Sequence, residues 1–312
     1  MARALSSALV LALLAATAVA FAITEGAKLE RSPIYGTKVP TAEFSPNGTA
    51  APVASISFRL RSRERVEAWM QNSHGKRVST LLPPRAFAAR SQIGLVWDGL
   101  ADDGRSVPDG VYQPVVKLER SHRTIVLPNP IRLDTVPPVI TVKHPQYPIL
   151  SPDGDHHRDT FRVHYTVNEP AHGILYVGDQ RVAFTRSQKP TGVLVWNGQL
   201  KRNGVLHPAR PGRYVLRVAA QDRAGNVSKP FPFAIAQVRY VTLARSRIVV
   251  GPRRRFAIRV STDAPTVHWQ FHGGSGVQRR GTLHFRAPKA KGHYQLYVFV
   301  GNHADRVTVV VR

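Results

Sequence analysis

The stretch Val96-Trp97-Asp98-Gly99, followed by Asp103-Gly104 and then Pro108-Asp109-Gly110-Val111-Tyr112, decides the fold because it occurs again. The second copy reads Val195-Trp196-Asn197-Gly198, then Asn203-Gly204, then Arg210-Pro211-Gly212-Arg213-Tyr214. Working upstream, Phe44-Ser45-Pro46-Asn47-Gly48 matches Leu150-Ser151-Pro152-Asp153-Gly154, and Ile56/Phe58/Leu60 matches Val163/Tyr165/Val167. The offset stays between 99 and 107 residues, so small loop insertions account for the drift. Solenoid units repeat every 20–50 residues or so. A period twice that long is a whole domain, present in tandem.

Each copy reads as short strands. Ile56/Phe58/Leu60, Val66/Ala68/Met70, Leu95/Trp97 and Val111/Val115/Leu118 are period-two apolar runs, as half-buried strands require. Asn72-Ser73-His74-Gly75, Pro83-Pro84, Asp98-Gly99, Asp103-Gly104 and Asp109-Gly110 separate them as turns. Strands at this spacing predict a β-sandwich or barrel, with no long helix after residue 30. Residues 237–312 lack the tryptophan-glycine signature yet alternate in the same way, through Phe256/Ile258/Val260, Val267/Trp269/Phe271, Leu283/Phe285 and a final hairpin broken at Gly301-Asn302. The predicted fold is all-β: tandem immunoglobulin-like or fibronectin III-like sandwiches after an N-terminal hydrophobic segment. The predicted divisions are a signal or anchor at 1–23, a spacer at 24–40, and sandwiches at 41–134, 135–236 and 237–312. Asp134-Thr135-Val136-Pro137-Pro138 and Lys229-Pro230-Phe231-Pro232 are the expected semi-rigid joints.

Composition bounds the function. The 312 residues carry 44 Lys and Arg against 19 Asp and Glu, a net charge of +25, and 34 of the bases are Arg. Such a field attracts polyanions: wall polymers rich in phosphate, acidic polysaccharides or anionic lipid. The absence of cysteine excludes disulfides, thiolate-zinc sites and a Cys nucleophile. Residues 4–23 are uncharged and rich in Ala and Leu, which fits a cleaved export signal and equally a membrane anchor. Both place the remainder outside the cytoplasm, secreted or anchored in the cell membrane, where nucleic acid is an unlikely partner.

The run from Trp97-Asp98-Gly99 to Asp109-Gly110-Val111-Tyr112, with its second copy and the two Ser-Pro-Asn/Asp-Gly openings, resembles the FlgD-type immunoglobulin-like domain, named after the flagellar hook-capping protein. The resemblance covers residues 41–235 and implies a stalk or terminal module of a secreted bacterial protein. It implies no activity. On the residues themselves, Trp97 and Trp196 fill the sandwich end, Gly99 and Gly198 let the chain reverse, and Gly110, Tyr112, Gly212 and Tyr214 start the returning strand.

Three groups are candidates for chemistry. Asp153, Asp155 and Asp159 have a spacing that can wrap Ca²⁺, although the EF-hand's sixth-position Gly and twelfth-position Glu are replaced by Arg158 and His164; a solvated turn is the competing reading. His156-His157 with Asp153 or Asp159 offers Zn²⁺ ligands in poor geometry. Arg253, Arg254, Arg255, Arg279 and Arg280 concentrate charge in the last domain and are the candidate polyanion-binding face. No Gly-x-Ser-x-Gly elbow and no Ser-x-x-Lys occurs, and Gly273-Gly274-Ser275-Gly276 reads as a flexible hairpin loop rather than a phosphate cradle. The reading is therefore a non-enzymatic envelope protein without catalytic residues or cofactor, structural or adhesive, whose partner is an anionic polymer or another surface protein. A binding module for anionic wall polymer and an accessory part of a secreted hydrolase system are the alternatives. The sequence is silent on oligomeric state.

Overall fold

The computed structural model describes residues 12–19, 21, 31–143 and 148–312. Residues 12–19 and 21 are helical and exposed; the rest of the expected signal or anchor, and residues 24–30 of the expected spacer, lie outside the described residues. Among the described residues no helix is long and apolar enough to cross a membrane. After residue 30 every described regular element is a strand. The chain divides into two compact units, residues 1–46 with 51–134, and residues 47–50 with 135–312.

The first unit contains one sandwich. Its strands are β1 (Ile34–Lys38), β2 (Glu43–Phe44), β3 (Ala54–Leu60), β4 (Glu64–Asn72), β5 (Arg77–Phe87), β6 (Gln92–Trp97), β7 (Gly110–Leu118), β8 (Arg123–Val126) and β9 (Ile131–Leu133). One sheet runs β1-β3-β6 and the other β2-β9-β7-β4-β5, with β8 pairing the second half of β7 beyond the stretch paired with β9. Ile56, Phe58, Leu60, Leu95 and Trp97 from the first sheet pack against Val66, Ala68, Met70, Val116 and Leu118 from the second. Removing that apolar area from water, at about 25 cal/mol per Å², is the main force closing the sandwich. The expected spacer needs correction here. Ile34–Lys38 is a strand paired antiparallel with β3, and Ile34 enters the core. The stretch escapes a periodicity reading because it buries one side chain and is then broken at Gly36, where the register shifts.

The second unit holds two sandwiches, each with its own core. The first of these has β10 (Ile140–Val142), β11 (Ile149–Leu150), β12 (Phe161–Val177), β13 (Gln180–Phe184), β14 (Lys189–Trp196), the hairpin β15 (Gln199–Arg202) and β16 (Val205–Pro208), β17 (Gly212–Gln221) and β18 (Phe231–Val238). The long β12 serves both sheets. Its first half lies between β10 and β14, and its second half between β13 and β17. The expected joint at 230–232 is also corrected, since Phe231 and Pro232 pair with Val218 and Arg217 inside the sandwich. Passage to the next sandwich takes only residues 239–241.

The last sandwich comprises β19 (Thr242–Leu243), β20 (Arg247–Val250), β21 (Arg255–Ser261), β22 (Thr266–Phe271), β23 (Gly274–Arg279), β24 (Thr282–Arg286), β25 (Gly292–Val300) and β26 (His303–Val311). Its sheets run β19-β21-β24 and β20-β26-β25-β22-β23. In all three sandwiches a three-stranded sheet faces a larger one whose short first strand (β2, β11 or β20) runs parallel to its last (β9, β18 or β26). That is the order of an immunoglobulin-like or fibronectin III-like sandwich, three times over. The expected flexible loop at 273–276 is mostly strand: Gly274 and Gly276 pair with Phe271 and Trp269, and a Cβ on Gly276 would meet the Trp269 indole at 2.9 Å.

Candidate functional site

The signature residues form the framework. Trp97 and Trp196 are each 1% exposed and close β6 and β14, opposite Ala54 and Phe161. Each indole N–H donates to the carbonyl three residues on, Leu100 at 3.1 Å and Gln199 at 2.9 Å. The two halves of the repeat meet in space: a Cβ on Gly99 would lie 3.1 Å from the Pro46 ring, and one on Gly198 2.4 Å from the Pro152 ring. Both glycines have positive φ, 83° and 73°, where Gly alone is free of strain. Thus the Ser-Pro-x-Gly opening and the Trp-x-Gly turn recur together because one sits on the other. Gly110 and Gly212 open β7 and β17, and two residues later Tyr112 and Tyr214 donate hydroxyl bonds back to the carbonyls of Pro108 and Arg210. This tyrosine corner ties a loop to the strand after it.

A third corner hides in the last sandwich, where the tryptophan signature is missing. Gly292-His293-Tyr294 repeats Gly-x-Tyr, and the Tyr294 hydroxyl donates to Ala290 O at 2.9 Å. Phe285, opposite Phe256, takes the place of the tryptophan, with Phe271 and Trp269 around it.

Asp153, Asp155 and Asp159 do come together, each offering an oxygen within 4.8 Å of the others; neither His156 nor His157 joins them. Five of the six oxygens accept bonds from their own loop. Asp153 takes Ser151 Oγ–H and Asp155 N–H, Asp155 takes His157 N–H, and Asp159 takes Gly154 N–H and His156 N–H. These bonds fold residues 151–159 into a braced turn, with His156 and Arg158 held at φ 70° and 52°. Burial, with Asp155 and Asp263 nearby, pushes the Asp153 carboxyl up to about 6. The turn also fixes a joint. Asp153 O accepts Asn302 N–H at 2.6 Å, and the His303 ring stacks on Tyr240 at 3.7 Å and 6°. Burial pushes the Tyr240 phenol up to about 12 and lowers the His303 imidazole, so both rings are neutral at pH 7.

The arginines do not form one face. Arg253, Arg254 and Arg255 lead into β21, whereas Arg279 and Arg280 precede β24, which runs antiparallel to it. Arg253 to Arg255 therefore sit at one end of the β21–β24 pair and Arg280 at the other, Arg279 closes β23 in the opposite sheet, and Arg255 faces Arg286 across the strands. Arg280 lies elsewhere, in a cleft of about 430 Å³ between the last two sandwiches, with Arg158, Arg239, Ser261, Thr262 and Asp263. Among the described residues no ion pair is recorded for Arg158, Arg239 or Arg280. Asp263 Oδ2 is buried without a hydrogen-bond partner. Sequence reasoning missed this set because its members span residues 158 to 280 and only the fold assembles them.

A second basic concavity, of about 650 Å³, lies beside the Tyr214 corner, lined by Lys201, Arg202, Arg210, Arg213 and Arg217. Its one acid, Asp179, is paired with Arg217 at 2.9 Å. A small hollow lined by Pro148, Ile149, Arg213, Ile235 and Gln237 shares Arg213 with this groove and Ile149 with the cleft.

No protein-family model matches the chain, and no curated protein matches it. Solved structures with tandem sandwiches are similar in part. The fibronectin(III)-like modules of Clostridium thermocellum CbhA share 15% identity over 66% of this chain and 94% of theirs, with a TM-score of 0.35. Drosophila OTK extracellular domains 3–5 share 11% over 88% and 97%, at 0.19. Domains 4–9 of the surface layer protein SbsC share 9% over 90% of this chain and 48% of that one, at 0.26. Scores this low establish neither kinship nor function.

Proposed function

We propose that this chain is a non-enzymatic, extracytoplasmic protein of tandem immunoglobulin-like sandwiches that binds an anionic polymer of the cell envelope. The observation that carries the reading is charge segregation. Residues 237–312 contain fourteen Lys and Arg and two acids, Asp263 and Asp305. Asp305 is spent on structure, accepting Leu243 N–H and Arg306 N–H. The contact of Pro46 on Gly99, and of Pro152 on Gly198, supports the FlgD-type resemblance by giving its two motifs one physical purpose. Export rests on the uncharged segment 4–23.

The test is retention of the full chain on an acidic polysaccharide, with dextran as the neutral control. Retention should fall steeply as NaCl rises past about 0.15 M, where exposed charges are screened beyond roughly 8 Å. Equal retention on dextran, or retention that ignores salt, would overturn the reading.

A further inference from the structure

We infer that the polymer lies along a basic track running from the groove beside the Tyr214 corner to the cleft between the last two sandwiches, and that its acidic sugar units are read there by Arg158, Arg239 and Arg280. The inference rests on the reading above and deepens it by naming the site and the repeating unit.

Three observations converge. First, the small hollow shares Arg213 with the groove and Ile149 with the cleft, and both residues lie opposite Gln237 on neighbouring strands, so a linear ligand can run across the sheet from one to the other. Second, two of the cleft's three arginines are held by neutral partners, and the single acid in the lining, Asp263, leaves the cleft with an excess of positive charge. Arg239 donates to the Gln237 side chain at 2.8 Å and Arg280 to the carbonyl of Asp263 at 3.2 Å, while Arg158 projects from a backbone held at φ 52°. Guanidinium forks arranged this way suit planar carboxylates, which they bind through paired charge-assisted bonds. Third, the cleft also offers groups for hydroxyls. Ser261 and Thr262 line it beside Asp263. A hexuronate unit supplies both a carboxylate for the arginines and ring hydroxyls for these polar side chains; a poly(glycerol phosphate) chain supplies the charge with far fewer hydroxyls.

The cleft exists only while the joint holds. Gly301 stands at φ 52°, and a Cβ there would meet the Asp153 carbonyl oxygen at 1.9 Å, which forces the joint apart. Gly301→Val therefore disturbs the cleft without touching any of its arginines.

The experiment measures binding of full chains to oligogalacturonate by calorimetry, with poly(glycerol phosphate) as a parallel arm. Arg158→Gln/Arg239→Gln/Arg280→Gln should lose about tenfold or more in affinity, and Arg253→Ser/Arg254→Ser/Arg255→Ser no more than about twofold, both melting like the parent. Arg280→Gln alone and Gly301→Val should each weaken binding, the second with all arginines intact. Equal losses in the two triple variants, or loss confined to the 253–255 variant, would overturn the track while leaving polymer binding standing. Tighter binding to poly(glycerol phosphate) would overturn the assignment to uronate. Failure of the parent chain to bind either polymer would instead remove the function on which the inference rests.

Discussion

The first and second sandwiches each carry a groove beside the tyrosine corner, and the balance of charge differs between the two. Beside Tyr112 it is lined by Asp102, Asp103 and Asp109 together with Lys76 and Arg77; beside Tyr214 it is lined by Lys201, Arg202, Arg210, Arg213 and Arg217 together with Asp179. The difference begins with how each hairpin is tethered to the neighbouring strand. In the first sandwich the Asp102 carboxylate accepts Thr80 N–H at 2.6 Å and the Thr80 hydroxyl at 2.9 Å. In the second the Gln180 side chain makes both bonds to the backbone of Lys201, accepting its N–H at 2.6 Å and donating to its carbonyl at 2.9 Å. Moving the tether onto the main chain frees the side chain at 201 to be a cation. The framework therefore fixes the groove's shape, while the tether's chemistry decides what charge it can display.

Breaking the shared framework should give the largest effects. Trp97→Ala and Trp196→Ala are each expected to cost about 3–5 kcal/mol in urea unfolding, and Phe285→Ala in the third sandwich about as much. A loss under about 1 kcal/mol at any of the three would separate that sandwich from the others.

Asp153 has no counterpart in the first sandwich, where Asn47 holds its place. Its carboxyl titrates near 6 in the folded chain, against 3.8 for an aspartate free in solution. The native state thus takes up the proton first, so this group's penalty is full above pH 6 and is relieved as the pH falls from about 6 towards 3.8. Asp153→Asn should stabilise the chain at pH 7 by about 1–3 kcal/mol and flatten the melting temperature between about pH 6 and 4. An unchanged pH profile would mean that burial beside Asp155 and Asp263 does not govern this carboxyl.

The two tethers should differ in size and in their response to acid. Gln180→Ala is expected to cost about 1–2 kcal/mol at any pH, and Asp102→Ala about 1 kcal/mol only near neutrality. The Thr80 N–H, then its hydroxyl, hold the Asp102 carboxyl below 3.8, so its contribution is present above that value and lost as pH falls through the lower folded one. Double-mutant cycles with Thr80→Ala at about pH 7 and pH 3 would check it. The smallest effect is expected at the corners, where Tyr112→Phe, Tyr214→Phe and Tyr294→Phe should each cost about 1 kcal/mol. A corner that costs nothing would mark its loop as held by other contacts.

Much of this framework is legible in the sequence. Alternation around Ile56, Val163 and Ile258 locates strands, and Asn203-Gly204 locates a turn with φ 50° and 80°. The third Gly-x-Tyr is inconspicuous because Phe285 replaces the tryptophan that marks the other two. β1 escapes notice because a strand burying one residue has no period. The basic track is invisible for a different reason: Arg158, Arg239 and Arg280 are brought together by a joint, and no spacing rule relates residues on different sandwiches. The run Arg253-Arg254-Arg255, by contrast, draws attention through adjacency alone.

The most direct test exchanges the charge of the two equivalent grooves in the full chain. Lys201→Asp/Arg202→Asp should reduce affinity for oligogalacturonate about tenfold at about 0.05 M NaCl and shrink the salt dependence of what remains, while Asp103→Arg in the first groove leaves the track's affinity within about twofold. The account is contradicted if the first substitution leaves binding untouched, or if Asp103→Arg raises it as much as the other lowers it, since binding would then follow net charge and not the track.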